Sequence, residues 1–574
     1  MSLFGGLEIG RKGLAAGQTG QSTAGNNIAN VDTEGFSRRE VTQATAVPAM
    51  GGKGSGVDVT GVRRFQDRFV KAKVVDEQTR VGNWQTRESI LTEAEVIYTD
   101  LDGTRLRGSL DAFWNAWETL SHEPESIPAR KALAKMSDAL TKDFKLFDQR
   151  LTELEASLNQ RILSEIEEVN KLTREIATMN KQVEQLESKG LQANDARDQR
   201  EMLLQKLADK VSVKSYESKT GTLEIQLDNG QHLVRARKSY NLSPIPSEKK
   251  MGDFGISLTV PPNSESNVTD AIEGGILNEL IRQRDTNVAQ FHNDLHALAR
   301  ELATEVNNVH ATGTGIKGAQ TSETSAYPLP ADALLLPLPF LQTGEVEFKI
   351  VGQDGEIEEV LTVPIEAGVD SPLSVVDKIN KAADAYATTP EGQVYLKDVS
   401  KLRAQLNENG TITLESGMGK KFIYGKDGAN LLGNLGLNCF FHFSEGASDI
   451  EVNRRFIEDE QLIAAGSDML PGDNLIALTI SELKDKAVMD DGTLSFGKFY
   501  NKQITDVGLK VHDAQKGHAG HRAMLEQYEA LRDTVSAVNL DEEMANMVKY
   551  QRAYESAAKF LGTIDQMTET VINM

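Results

Sequence analysis

Nine histidines, one cysteine and 85 carboxylates are the groups in this 574-residue chain that could do chemistry. Metal binding needs several donors at one point, and local zinc motifs supply them as two spaced pairs of Cys or His. His518 and His521 stand three apart in KGHAGHR, near His512, but no Cys and no second pair follows. The segment reads as a solvated helix start. Phosphate binding needs a Gly-rich loop with a Lys between a strand and a helix. Gly5 and Gly10 have that spacing, but Arg11 replaces the Lys and no strand precedes; GGKGSG at 51–56 fails the spacing. Acid–base catalysis needs two carboxylates set apart by environment. Here they are spread over long helical stretches. RDQRE (197–201) and IRQRD (281–285) read as ion-paired faces or contacts between subunits. The chain is therefore expected to be no enzyme, with no catalytic, cofactor-binding or metal-ligating residue and no cofactor.

The bulk numbers exclude further classes. A net charge of −23 argues against a nucleic-acid partner, because a phosphate backbone calls for a basic face. No window of about 20 residues is apolar enough to span a bilayer, so no membrane role is expected. MSLFGGLEIGRKG lacks the apolar core of a cleaved secretion signal. Cys439 is the single cysteine, so no intrachain disulfide forms.

The elements follow from periodicity. Residues 84–120 read as helical. Pro124 and Pro128 break that pattern. From Leu140 through Phe144, Phe147, Leu151, Leu154, Leu158, Ile162, Ile166, Val169, Leu172, Ile176, Met179, Val183 and Leu186, apolar residues recur every three or four positions. No Pro or Gly falls between Ala129 and Lys189, and some 60 residues of helix measure roughly 90 Å. Residues 193–210 read as a shorter helix capped by Asn194. Residues 211–268 alternate around a DNG turn at 228–230, and 276–309 form another long helix. Residues 320–450, opened by several prolines, alternate in short runs at 345–351, 358–363 and 411–416. They read as a separate β-rich insert, and helix resumes near Ser495.

Both ends look for helical partners. Tyr550, Ala553, Ala557, Phe560, Ile564, Met567 and Val571 form a heptad seam. Leu3, Leu7, Leu14 and Ile28 mark a thinner one, through a segment with seven glycines. Each Gly costs ~1 kcal/mol against Ala inside a helix, so roughly 5–7 kcal/mol opposes this helix in isolation. It is expected to be loose in the monomer and to order on assembly. Between helix and hairpin lies NNIANVDTEGFSRREV. Asn26 and Asn27 fall at the end of the helical segment; Asn30, Asp32 and Thr33 favour turns, Gly35 takes positive φ freely, and Phe36 leads into the strand of residues 39–47. A flexible tip at 50–56 and a return strand at 57–62 complete a joint that fixes two directions.

These residues carry a resemblance. NNIANVDTEGFSRREV and SAVNLDEEMANMVKYQRAYESAAKFLGTIDQMTETVINM (536–574) resemble the shared terminal motifs of the bacterial flagellar axial proteins of rod and hook. ANDARDQREMLLQKLADKVSV (193–213) and EGGILNELIRQRDTNVAQFHNDLHALARELATEVNNVHATG (273–313) resemble the hook-associated branch at the hook–filament junction. The likeness covers residues 1 to about 315 and 500–574. It implies a secreted structural part of the flagellum, exported unfolded by the type III apparatus with a chaperone. It further implies assembly with copies of itself as a helical ring, with the hook protein and the second junction protein as neighbours.

The expected fold class is α+β multidomain: coiled-coil-like terminal helices, a long helical bundle and an inserted β-rich outer domain. The expected domains are residues 1–75 with 515–574 as inner-tube domain, 76–319 with 451–514 as bundle carrying the β segment 211–268, and 320–450 as outer domain. The assembly interface is placed on Leu3, Leu7, Leu14, Ile28 and the C-terminal seam. Another axial protein, such as the hook protein, and a secreted coiled-coil adhesin are the competing readings. The helix over 129–189 counts against the first and the paired terminal seams against the second. An enzyme housed in the insert is a further alternative.

Overall fold

Long runs free of Gly and Pro, with apolar residues at helical spacing, dictate long helices with one buried face. The computed structural model describes residues 3–47, 54–99, 105–247, 250–260, 264–329, 336, 338, 340–384, 386–388, 394–396, 401–417 and 419–573. Helix α1 (Leu3–Ala29) leads through a turn to the antiparallel hairpin β1 (Arg39–Thr45) and β2 (Val57–Arg64). Most of the expected flexible tip lies outside the described residues. Helices α2 (Arg68–Thr99), α3 (Arg105–His122), α4 (Ile127–Glu187) and α5 (Asn194–Lys210) follow.

Four expectations meet a difference here. α2 begins at Arg68, not near Trp84. Val70, Val74 and Val81 are buried, but buried Glu77 shares the segment and dilutes its apolar period. Asp67 caps this start, accepting from the amides of Phe69 and Val70. Pro128 does not interrupt α4; it sits in the first turn, where no N–H is required. Asn194 is not a cap: it is the first residue of α5, and its side chain donates to the Val62 carbonyl at 2.7 Å.

The β segment comprises β3 (Lys214–Glu217), β4 (Leu223–Gln226), β5 (His232–Arg235) and β6 (Lys238–Ser239) in one antiparallel sheet. A second sheet holds β7 (Leu242–Pro246), β8 (Phe254–Val260) and β9 (Ser264–Asn267). Gly230, at φ 84°, makes the expected turn between β4 and β5. The next helix is broken by the fourth difference: α6 (Gly275–Gln283) passes through a π-helical segment (Arg284–Val288) into α7 (Ala289–His310). One extra residue per turn leaves the apolar period nearly intact, which hid the break.

Beyond residue 320 come β10 (Ser322–Thr324), β11 (Gly344–Val351) and β12 (Ile357–Ile365), then α8 (Pro372–Ala382). After them lie β13 (Tyr386–Thr388), β14 (Val394–Leu396), β15 (Arg403–Leu406), β16 (Ile412–Glu415) and β17 (Lys421–Asp427). The three-stranded orders are β12-β11-β17 and β10-β16-β15. Ser371 and Ser374 form a reciprocal capping box with Pro372 in the first turn, so this strand-rich region also contains a helix. The short helices α9 (Leu431–Leu435), α10 (Arg454–Glu458) and α11 (Leu475–Glu482) precede α12 (Phe496–Ser536) and α13 (Leu540–Ile572).

Residues 1–92, 156–285 and 510–574 form one compact unit; residues 93–155 and 286–509 form another. In the first, α4 buries Leu158, Ile162, Ile166, Val169, Leu172, Ile176 and Val183. Buried Asn180 ties it to the sheet: its amide donates to the carbonyls of Leu223 and Ala236 and accepts from the Leu223 N–H. In the second unit Phe113, Trp117, Phe440, Phe441 and Phe456 are fully buried. His310 packs against Trp117, Phe440 and Phe456. The strands there enclose a core that includes Phe348, Leu361, Leu414, Phe422 and Tyr424.

Candidate functional site, the terminal joint

The signature turn is a hydrogen-bonded corner. Asn30 donates to the Asn26 carbonyl and accepts from the Thr33 hydroxyl, while Phe36 N–H reaches back to Thr33 O. Gly35 has φ 77°, and a Cβ there would also stand 2.3 Å from the Met202 sulfur, so two constraints require Gly. Asn27 is fully buried and acts as a strand neighbour for Arg39. Its Nδ2 donates to Arg39 O at 2.9 Å, and its Oδ1 accepts from Arg39 N at 3.0 Å. The same Nδ2 donates to Glu543 Oε2 at 3.0 Å, which brings the C-terminal helix to the corner. Asn26 accepts from the Arg39 guanidinium, and the Phe36 ring lies 4.7 Å beneath it.

A chain of ion pairs surrounds this corner. Arg38 bonds Glu543 at 2.9 Å and Glu542 at 2.6 Å, and its N–H donates to Ser536 O. Arg39 pairs with Asp195 and Asp198, Arg64 with Asp198 and Glu201, and Lys71 with Glu201. Burial opposes ionisation of Glu201, yet Arg64 and Lys71 outweigh it and hold the carboxyl below its usual range. Burial dominates at Lys71 and lowers its ammonium pKa despite Glu201. Asn539 caps α13 by accepting from the amides of Asp541 and Glu542. The acids of RDQRE are thus ion-paired within the chain. Sequence reading saw that face but not its partners, since Arg39, Arg64 and Lys71 lie more than a hundred residues away.

The two ends meet as an antiparallel helix pair. A Cβ on Gly6 would come within 2.9 Å of Ile564, on Gly10 2.5 Å of Leu561, and on Gly13 3.2 Å of Ala557. Likewise Gly17 abuts the Tyr554 backbone at 3.0 Å and Gly20 the Tyr550 ring at 2.3 Å. Glycines spaced four and three apart face partners spaced four and three apart, so the residues that weaken α1 alone are those that admit α13. The expectation that the N-terminal helix is loose in the monomer is thereby replaced: in the single chain it lies along α13.

Tyr550, Ala557 and Ile564 lie on this seam, which continues through Tyr554 and Leu561. Ala553, Phe560, Met567 and Val571 lie off it and are exposed. Leu7, Leu14 and Ile28 are half-buried, and the Leu3 side chain lies outside the described residues. His518 and His521 do not converge: the first pairs with Glu88, the second with Glu77.

Comparison with known proteins follows the same division. Residues 91–324 match the family profile described as the flagellar hook-associated protein FlgK helical domain. The ends match rod-type profiles: residues 7–36 the flagella basal body rod protein, and 534–574 the flagellar basal body rod FlgEFG protein C-terminal. Flagellar hook-associated protein 1 of Bacillus subtilis is 24% identical over 605 residues, covering 100% of this chain and 98% of the relative. That of Escherichia coli is 25% identical, with 98% of each covered.

The chain is thus similar over its full length to flagellar hook-associated protein 1, and its middle matches the helical domain of that protein.

It is a structural component of the bacterial flagellum, outside the cell. The fold agrees. The flagellar hook junction protein FlgK from Burkholderia pseudomallei superposes with TM-score 0.51 at 14% identity, covering 81% of this chain and all of that one. At that identity the superposition speaks for the α+β multidomain fold alone. Most of the signature turn and of the terminal helix pair lies within the rod-type matches, and the helical middle lies within the hook-associated one.

Proposed function

We propose that the chain joins hook to filament as one of a ring of identical copies, held through its terminal helices and performing no reaction. The observation that carries this reading is how little of α13 is buried. Over 33 residues it buries only Glu543 and Ile564. Met544, Val548, Phe560, Met567, Val571 and Ile572 stand exposed on it, where a lone soluble helix would present polar residues. A second copy of this chain is the occupant, because the exposed residues Ala553, Phe560, Met567 and Val571 continue a heptad spacing that the internal pair leaves unused. The joint supports the same role, since it sets the terminal pair against the hairpin with buried ion pairs rather than with a flexible linker.

On this reading residues 1–75 with 515–574 form the inner-tube domain, 76–319 with 451–514 the bundle, and 320–450 the outer domain. Hook protein and the second junction protein are its axial neighbours, and a type III export chaperone holds it before secretion. Cells lacking the chain should bear hooks without filaments and lose filament subunits to the medium. Normal filaments on such cells, seen by electron microscopy, defeat the proposal.

A further inference from the structure

Away from the joint, α4 and α7 bring three donors together: Asp148, His292 and His296 each place one ligand atom within 4.8 Å of the others. We propose that this triad is a binding site for a zinc-class divalent transition metal ion. Asp148 Oδ1 stands 3.3 Å from His292 Nδ1 and 3.2 Å from His296 Nε2. Charge-assisted hydrogen bonds are shorter, about 2.7–2.9 Å. The His292–Asp148 contact is a long hydrogen bond, and donors held at zinc bond lengths of about 2.0–2.1 Å in a tetrahedron lie about 3.3 Å apart, so the same spacing admits coordination. The two imidazoles stack one turn apart on α7 with centroids 6.1 Å apart, at the i, i+4 spacing of helical metal-binding His pairs. All three side chains are largely buried, which screens the site from competing water.

The surroundings of His292 fit. Its Nε2 is buried without a hydrogen-bond partner, and the Glu155 carboxylate is 3.6 Å away. With the metal on Nδ1, the proton resides on Nε2 and points at that carboxylate, the usual orienting shell of a metal-bound imidazole. At His296 one contact must yield. The Ala447 N–H donates to its Nδ1 at 3.1 Å, which keeps the neutral ring's proton on Nε2. Metal on Nε2 moves that proton to Nδ1, opposite the Ala447 N–H. Binding is therefore coupled to release of the turn at 444–449, whose amides at Ser444, Glu445 and Gly446 are otherwise held by Asp449.

The test titrates the untagged, metal-free full-length chain with Co2+, then displaces it with Zn2+. Expected are one saturable equivalent per chain, visible absorption of four-coordinate Co2+ that Zn2+ abolishes, and faster amide exchange at Ala447 on binding. Asp148→Asn and His292→Gln should lose the signal while keeping far-UV circular dichroism unchanged. Glu155→Gln, which touches no ligand atom, should weaken binding roughly 10–100-fold. A wild-type chain with no saturable equivalent, or one that persists in the folded ligand variants, overturns the site. Should the ligand variants not fold, the wild-type titration and the Glu155→Gln shift still decide it.

Discussion

Helices α4 and α13 are both long and both carry apolar residues every three or four positions, yet they end in opposite states. From Leu140 to Val183 α4 buries its seam almost completely, with Leu140, Phe144, Leu151, Leu158, Ile162 and Val169 at zero exposure. α13 packs along a glycine stripe, ties its first turn to the corner, and leaves Met567 and Val571 more than half exposed. The difference teaches that periodicity announces a partner without saying which. Inside a compact unit the partner is the rest of the chain. At the end of this chain the proposed partner is a neighbouring copy.

The sharpest way to break this comparison is to delete residues 550–574. The body should remain folded, with its thermal midpoint nearly unchanged, because no buried core residue of α4 depends on that segment. Incorporation into the axial structure should be abolished, scored by immunogold labelling of hooks. Normal incorporation would remove the case for α13 as an assembly surface.

Next in size is the reciprocal experiment. Phe144→Ala opens a cavity in a filled interior and should cost 3–5 kcal/mol of unfolding free energy by urea titration, typical of such truncations. Met567→Ser on α13 should cost almost nothing in the monomer yet slow assembly. Equal losses from both substitutions would mean that α13 is buried in the free chain.

Acid probes the filled interior from another side. His310 is fully buried, and burial lowers its pKa to about 3. Its Nδ1–H donates to Asn438 O, and its Nε2 accepts from Ala464 N–H, so the neutral ring is the one that fits. The unfolded chain takes up this proton near pH 6.5, before the folded one does. Its contribution is thus fully present above that pH and is lost as pH falls from about 6.5 to about 3. His310→Gln should flatten that part of the stability profile measured by chemical denaturation.

Much of this was legible in the amino-acid sequence. α4 was, because its seam is long and uninterrupted, and so were the signature turn and the strands at 345–351 and 358–363. The start of α2 was hidden by Glu77 among its valines. The π segment at 284–288 was hidden because it shifts the period by less than a turn. At the C-terminus the heptad was right in spacing but the packed face runs through Tyr554 and Leu561, because glycines opposite them decide which face can approach. The cluster at Asp148 was illegible for a plainer reason: His292 and His296 look like ordinary helical residues until α4 supplies a carboxylate from 144 positions away.

The smallest expected effect falls at the joint and tests whether the terminal pair is set or merely tethered. Asn27→Ala removes an amide that satisfies both backbone groups of Arg39 and reaches Glu543. Leaving buried backbone groups unpaired costs about 1–3 kcal/mol. That loss should appear as earlier proteolytic cleavage between α1 and β1 and not as a lower midpoint for the body. Glu543→Gln keeps one oxygen for Asn27 but weakens the pair with Arg38, so its effect should be smaller still. If Asn27→Ala leaves the cleavage pattern untouched, the corner is held by its ion pairs alone, and the turn's asparagines serve only the local chain reversal.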